Sequence, residues 1–182
     1  MDYEYLNNKY KSKYNKYKSK YLETYKNKVY AVCVLKTDKI DGVIYFEEID
    51  KSTKISGKIS GLIPNSKHAI HIHEYGDLTD KCNSCCAHYN PFNKDHGDRT
   101  AENRHVGDLG NLSTDHDGNC TFEFIDHLVK LRGPYSVIGR SIIIHEKEDD
   151  LGLGNHEDSK ITGHAGNRIV CGVIGLKKNP VN

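Results

Sequence analysis

Between residues 29 and 174 the chain alternates short apolar runs with polar breaks, and the period is that of strands. Residues 29–35, 43–48, 55–59, 69–73, 120–124, 141–145 and 169–174 are rich in β-branched and aromatic side chains with partial alternation. That pattern predicts strands with one face turned to a core. Turn signals stand between them at Asp41-Gly42, Pro64-Asn65-Ser66, Asp117-Gly118 and Arg132-Gly133-Pro134. Many short strands and no helical period in this body predict an all-β sandwich or barrel.

Two stretches break the rhythm. Residues 75–104 and 146–167 are poor in apolar residues and rich in Gly, Asp, Asn, His and Lys. Loops of this length in a compact domain are functional or disordered. The histidines gathered in and beside them favour function.

Residues 1–27 have another texture, with seven of the chain's twelve tyrosines and many lysines. Tyr10, Tyr14, Tyr17 and Tyr21 recur at helical spacing, with Tyr3, Leu6 and Tyr25 near the same stripe. A basic helix with a tyrosine face is one expectation, able to dock on the body, on another chain or on an anionic surface. A solvated appendage of no consequence for activity is the other, and the favoured one. The expected organisation is a 1–27 extension, a 28–178 domain and a 179–182 tail.

Composition bounds the rest. The chain has 182 residues, 36% hydrophobic and 28% charged, with a formal charge of +1. That allows one core and argues against electrostatic nucleic-acid binding. No stretch approaches the roughly 18 apolar residues of a membrane span, and the lysine-bearing N-terminus lacks the apolar segment of a secretory signal. The expectation is a cytoplasmic protein, in a host's cytoplasm if the chain is viral. Six cysteines are too few for a disulfide scaffold, whereas eleven histidines are an excess. Histidine is the commonest metal ligand.

In His71-Ile72-His73 the two imidazoles share one face of a strand and can converge on one ion. His88, His96, His105 and Asp108 add three imidazoles and a carboxylate, a set that suits zinc. His145 ends a further strand. Taken singly, the H-x-H pair reads as readily without a metal as with one, histidines often collect in polar loops without binding anything, and His145 at a strand end is unremarkable.

Together they sit in longer strings: AVCVLK (31–36), HIHEYGD (71–77), AHYNP (87–91), HVGDLGN (105–111), IGRSIIIHEKEDDLG (138–152) and TGHAGNRIVCGVIG (162–175). In these strings, and in the spacing of His88, His96, His105 and Asp108, the chain resembles the copper–zinc superoxide dismutases from Ala31 to Lys178. The resemblance implies an eight-stranded, immunoglobulin-like Greek-key β-barrel or sandwich with two functional loops. It implies one copper per subunit on His71, His73, His88 and His145. It implies one zinc on His88, His96, His105 and Asp108, with the His88 imidazolate shared.

The implied reaction is two one-electron steps. One superoxide gives its electron to copper and leaves as dioxygen while His88 takes a proton. A second superoxide takes the electron back and departs as hydrogen peroxide, with protons from His88 and solvent. By the same resemblance Arg168 orients the anion with its fixed cation, and Lys147 and Thr162 line the approach. Asp149 links His71 and His96 by hydrogen bonds, and Cys82 pairs with Cys171. His68 stabilises backbone near the copper strand, while His116, His127, His156 and His164 read as loop or surface residues.

Three features depart from the family's pattern. Cys85 and Cys86 stand where small residues, glycine among them, are usual, so a disulfide from either to Cys171 is a weaker alternative. Ile161 occupies the place of a steering lysine, with Lys160 one residue earlier and the acids Glu157 and Asp158 retained. The 1–27 segment has no counterpart in the short forms. A homodimer is the usual assembly, and a copper chaperone is a candidate partner. Two rival readings, a chaperone-like protein and a non-catalytic binding protein on the same scaffold, predict lost ligands or a lost arginine, and none is lost.

Overall fold

In a computed structural model, residues 9–19 and 28–179 are described. The body holds β1 (Tyr30–Lys36), β2 (Asp41–Ile49), β3 (Ser52–Ser60), β4 (Lys67–His73), β5 (Asp108–Ser113), β6 (Cys120–Asp126), β7 (Ser141–His145), β8 (Arg168–Val173) and β9 (Gly175–Lys177). They form two antiparallel sheets, ordered β6-β3-β2-β1-β9 and β5-β4-β7-β8. The chain crosses between sheets after β3, β5, β6 and β8, giving an all-β sandwich. The expected eight strands become nine segments because the last run leaves one sheet at Val173 and re-enters the other at Gly175.

Alternation builds the core. Ile44, Phe46 and Ile55 of one sheet face Ile70, Ile72, Ile142 and Ile144 of the other, all essentially inaccessible. On β4 and β7, however, the residues between these are buried as well. His71 and His73 alternate with Ile70 and Ile72, so they lie on the face turned away from the core. The long loops cover that face. The polar stretches that broke the sequence rhythm are thus a lid over β4 and β7.

Gly107 shows how closely the lid sits. Its carbonyl accepts from the amide of Ile72, its own N–H donates to Tyr89, and Tyr89 N–H donates back to Ile72. A side chain on Gly107 would put Cβ 2.1 Å from the Ile72 carbonyl oxygen. Backbone contact this tight needs glycine, and it holds His105, Asp108 and His88 against the strand that carries His71 and His73.

The Cys82–Cys171 disulfide ties the first loop to β8 across a sequence separation of 89. Cys33, Cys85, Cys86 and Cys120 are free thiols, so the alternative pairing of Cys85 or Cys86 is not formed. Cys86 has φ +66°, a conformation suited to glycine. Residues 9–19 are helical, with Tyr10, Tyr14 and Tyr17 exposed. Tyr3, Leu6, Tyr21 and Tyr25 lie outside the described residues. Among the described residues no helix is long and apolar enough to cross a membrane.

Candidate metal centre

Seven side chains from β4, the first loop, β5 and β7 meet under the lid. The possible ligand atoms of His71, His73, His88 and His145 lie within 4.8 Å of one another, as do those of His71, His88, His96 and Asp108. His105 joins through Asp108, its Nδ1 standing 3.1 Å from Oδ1. His71 and His88 have ring centroids 4.0 Å apart. All seven residues are buried.

Neighbouring groups decide which nitrogen of each ring is free. His73 Nδ1 donates to the Cys86 carbonyl at 2.8 Å, and His145 Nδ1 to the Gly166 carbonyl at 3.3 Å. His71 Nε2 and His96 Nε2 donate to the two oxygens of Asp149 at 2.8 and 2.7 Å. Each ring is thereby fixed with a lone pair on its other nitrogen. Those nitrogens are His71 Nδ1, His73 Nε2, His145 Nε2 and His96 Nδ1. Each is buried with no hydrogen-bond partner, and so is His88 Nε2.

Unpartnered buried polar atoms are costly, and five aimed into one small volume have a shared explanation in cation binding. Around Asp108 the crowding is of another kind. Its Oδ1 stands 3.0 Å from Nδ1 of His88, 3.0 Å from Nδ1 of His96 and 3.1 Å from Nδ1 of His105. Its other oxygen accepts from the amides of Gly97 and His105. Imidazole and carboxylate are the donors that zinc and copper accept, so both sets suit those ions.

Burial and neighbouring charge set the protonation states of the metal-free site. Burial drives His71, His73 and His88 below the ordinary imidazole range. It pushes His145 down to about 4, the hydrogen bond to Gly166 only partly opposing it. Burial also resists charge on His96, but the two carboxylates flanking the ring, Asp108 and Asp149, outweigh it and push that ring up to about 9. Asp108 is held well below the usual carboxylate range, burial being overcome by hydrogen bonds from His105, His88 and His96.

For His145 the folded state resists a proton that the unfolded chain accepts near pH 6.5. Its stabilising effect is therefore complete above pH 6.5 and is lost as pH falls toward 4, about 3 kcal/mol in all. The contribution of His96 has the opposite sign and is complete below pH 6.5, so it does not compensate in that window. Thermal melts of metal-free protein between pH 6.5 and 4 should show this decline; a flat profile would contradict it.

Asp149 is itself clamped. Asn111 accepts from its amide at 2.7 Å and donates to its carbonyl at 2.9 Å. Gly163 lies against it so closely that a Cβ would stand 1.9 Å from Oδ1. Sequence reasoning did not single out Asn111, although it ends the HVGDLGN string. Asp149→Asn should keep the fold but weaken metal affinity by about 10–100-fold, because an amide cannot accept from both rings. Competition with a chelator of known affinity checks this, and an unchanged affinity would contradict it.

Arg168 stands opposite His145 in the β7–β8 register. Its Nη1 donates to the Cys82 carbonyl at 2.7 Å and its Nη2 to the Cys86 carbonyl at 2.6 Å, so the guanidinium is held in one orientation beside the histidines. Lys147 is exposed, its side chain beside Gly166. Thr162 is half-buried on the short helix Ser159–Thr162, its hydroxyl donating to Asp158. Ile161 is 62% exposed on the same helix. His68 Nδ1 donates to the carbonyl of His145 at 2.8 Å. A groove of about 850 Å³ along β2, β3 and β6 lies away from all of these, and among the described residues the two groups of possible metal ligands fall outside it.

Residues 40–174 match the family model described as copper/zinc superoxide dismutase. The chain is 52% identical over 150 residues to superoxide dismutase [Cu-Zn] 5 of Dictyostelium discoideum, covering 81% of this chain and 98% of that one. It is 52% identical over 151 residues to the Saccharomyces cerevisiae superoxide dismutase [Cu-Zn], with coverage of 81% and 98%. The protein of that name from Paramecium bursaria Chlorella virus 1 is 50% identical over 150 residues, covering 82% and 80%. Among solved structures, that of the clock protein EA4 superposes with a TM-score of 0.79 at 43% identity, covering 81% of this chain and 94% of that one.

Proposed function

The chain belongs to the copper/zinc superoxide dismutase family and converts superoxide to dioxygen and hydrogen peroxide, and we propose that it does so with seven side chains holding two ions. Copper is held by His71, His73, His88 and His145, and zinc by His88, His96, His105 and Asp108. The observation that carries this assignment is the set of buried, unpartnered ring nitrogens. His71 has one free nitrogen, since Asp149 holds the other, so it serves one ion and leaves the second set to His105. When bound, copper supplies one-electron exchange with superoxide, and zinc supplies a redox-inert charge of fixed geometry.

The protein's own groups do the rest. His88 has Nδ1 beside Asp108 and a buried Nε2 without a partner, and it belongs to both groups of possible metal ligands. It can therefore take a proton at Nε2 in one half-reaction and give it up in the other. Arg168 attracts the anion and orients it with a fixed charge. Asp149 keeps the rings of His71 and His96 turned to their ions. Lys147 and Thr162 line the approach, and with Ile161 in place of a lysine the long-range pull on superoxide is weaker.

Residues 28–178 act as the catalytic domain in the cytoplasm, with 1–27 a separate extension and 179–182 a tail. The exposed side chains Val34, Tyr75, Leu78, Val173 and Leu176 form the contact surface of a homodimer. They support a single patch because Gly172 packs on the backbone of Val34 and Gly76 on Val173. A copper chaperone is a candidate partner for loading. A chain that starts at residue 28 should retain the rate nearly unchanged, and a large loss would give the extension a part in turnover. For the function itself, superoxide decay after pulse radiolysis should accelerate in proportion to the copper- and zinc-loaded protein. No acceleration above that of equal free copper would overturn the reading.

A further inference from the structure

Outside the seven ligand side chains, one more histidine group stands out. His156 and His164 flank the short helix Ser159–Thr162, and their rings stack with centroids 3.6 Å apart and planes 11° from parallel. His164 Nδ1 donates to Asp158 Oδ1 at 2.8 Å, which leaves the ring's lone pair on Nε2. This is the carboxylate–imidazole relay that fixes and strengthens metal-binding histidines elsewhere. His156 is exposed, so its ring is free to turn from the face-to-face stack and bring a nitrogen beside that of His164. His164 sits at φ +50°, a backbone conformation uncommon for a residue with a side chain. In the sequence both histidines stand among polar loop residues with nothing local to set them apart.

We propose that His156 and His164, with Asp158 behind them, form a third, surface site for a divalent first-row transition metal ion. Two imidazoles with water completing the shell suit copper(II), nickel(II) and zinc(II), with copper bound most tightly by the usual order of affinities. An ion here clips together the two ends of the helix, in the loop whose Gly163 packs on Asp149 and whose Lys160 carbonyl accepts from the amide of His96. The site thus braces the lid without supplying a ligand to the buried pair.

Nickel(II) is the probe, titrated calorimetrically into the full chain loaded with one copper and one zinc per chain, with native mass spectrometry counting ions. The expected result is one further nickel per chain, with affinity at least about 10-fold weaker in His156→Asn, in His164→Asn and in Asp158→Asn. Dismutation in the two histidine variants should match the parent, which shows that they fold. No third ion, or a third ion bound equally by the His156→Asn, His164→Asn double variant, would overturn the proposal. In the latter case the nickel sits at another surface histidine such as His116 or His127.

Discussion

Replacing His145 by alanine should lower superoxide turnover by more than about 100-fold, since even the partners that merely orient metal-bound histidines are worth 10–100-fold. His145 ends β7, and its Nε2 is buried with no protein partner while Nδ1 is held by Gly166. Removing it takes away one of four donors proposed for copper and none of those proposed for zinc. It lies on the lid side of the sheet, apart from the apolar core of Ile142 and Ile144, so the variant should fold. Metal analysis should find copper lost and zinc retained. A variant that keeps both its copper and its rate would remove His145 from the site.

The second large effect concerns stability. The double substitution Cys82→Ser, Cys171→Ser opens a loop closed across 89 positions. Chain-entropy arguments put the loss at about 4.5 kcal/mol, which lowers the melting temperature by about 10–15 °C for a chain of this size. Most of the first loop, including the backbone that bonds Arg168, lies between the disulfide and β5. The same loop also holds His88, His96 and His105, so bound metal should offset part of the loss. The variant should therefore differ most from the parent when both are metal-free. Melts of the two metal-free proteins check this. A difference below about 1 kcal/mol would mean that the loop is already ordered without the bridge.

What the sequence could not disclose has physical causes. The strand at 141–145 and the paired histidines of β4 were legible because apolar periodicity survives there. Strand β5 was not, because Gly110 and Asn111 interrupt the pattern and the strand is buried mostly on both faces. The tyrosine spacing pointed to the 9–19 helix, but spacing cannot say whether a stripe is covered, and Tyr10, Tyr14 and Tyr17 are exposed. The histidines and Asp108 of the proposed metal sets were legible as chemistry in short strings, and the resemblance grouped them. The buried Arg104–Asp126 pair, with Nη2 to Oδ2 at 2.7 Å, left no local signal. Its partners are 22 positions apart and look like ordinary surface charges until the first loop folds over β5. Asn111 was missed for a similar reason, since its two hydrogen bonds to Asp149 reach across 38 positions.

In the proposed centre one imidazole, His88, serves two ions held by seven side chains. Crystals of the copper- and zinc-loaded protein, with anomalous scattering recorded at the absorption edge of each metal, test it most directly. Two peaks per chain are expected, copper on the Nε2 side of His88 and zinc on the Nδ1 side beside Asp108. A single peak, or two ions with His88 bound to only one of them, would contradict it.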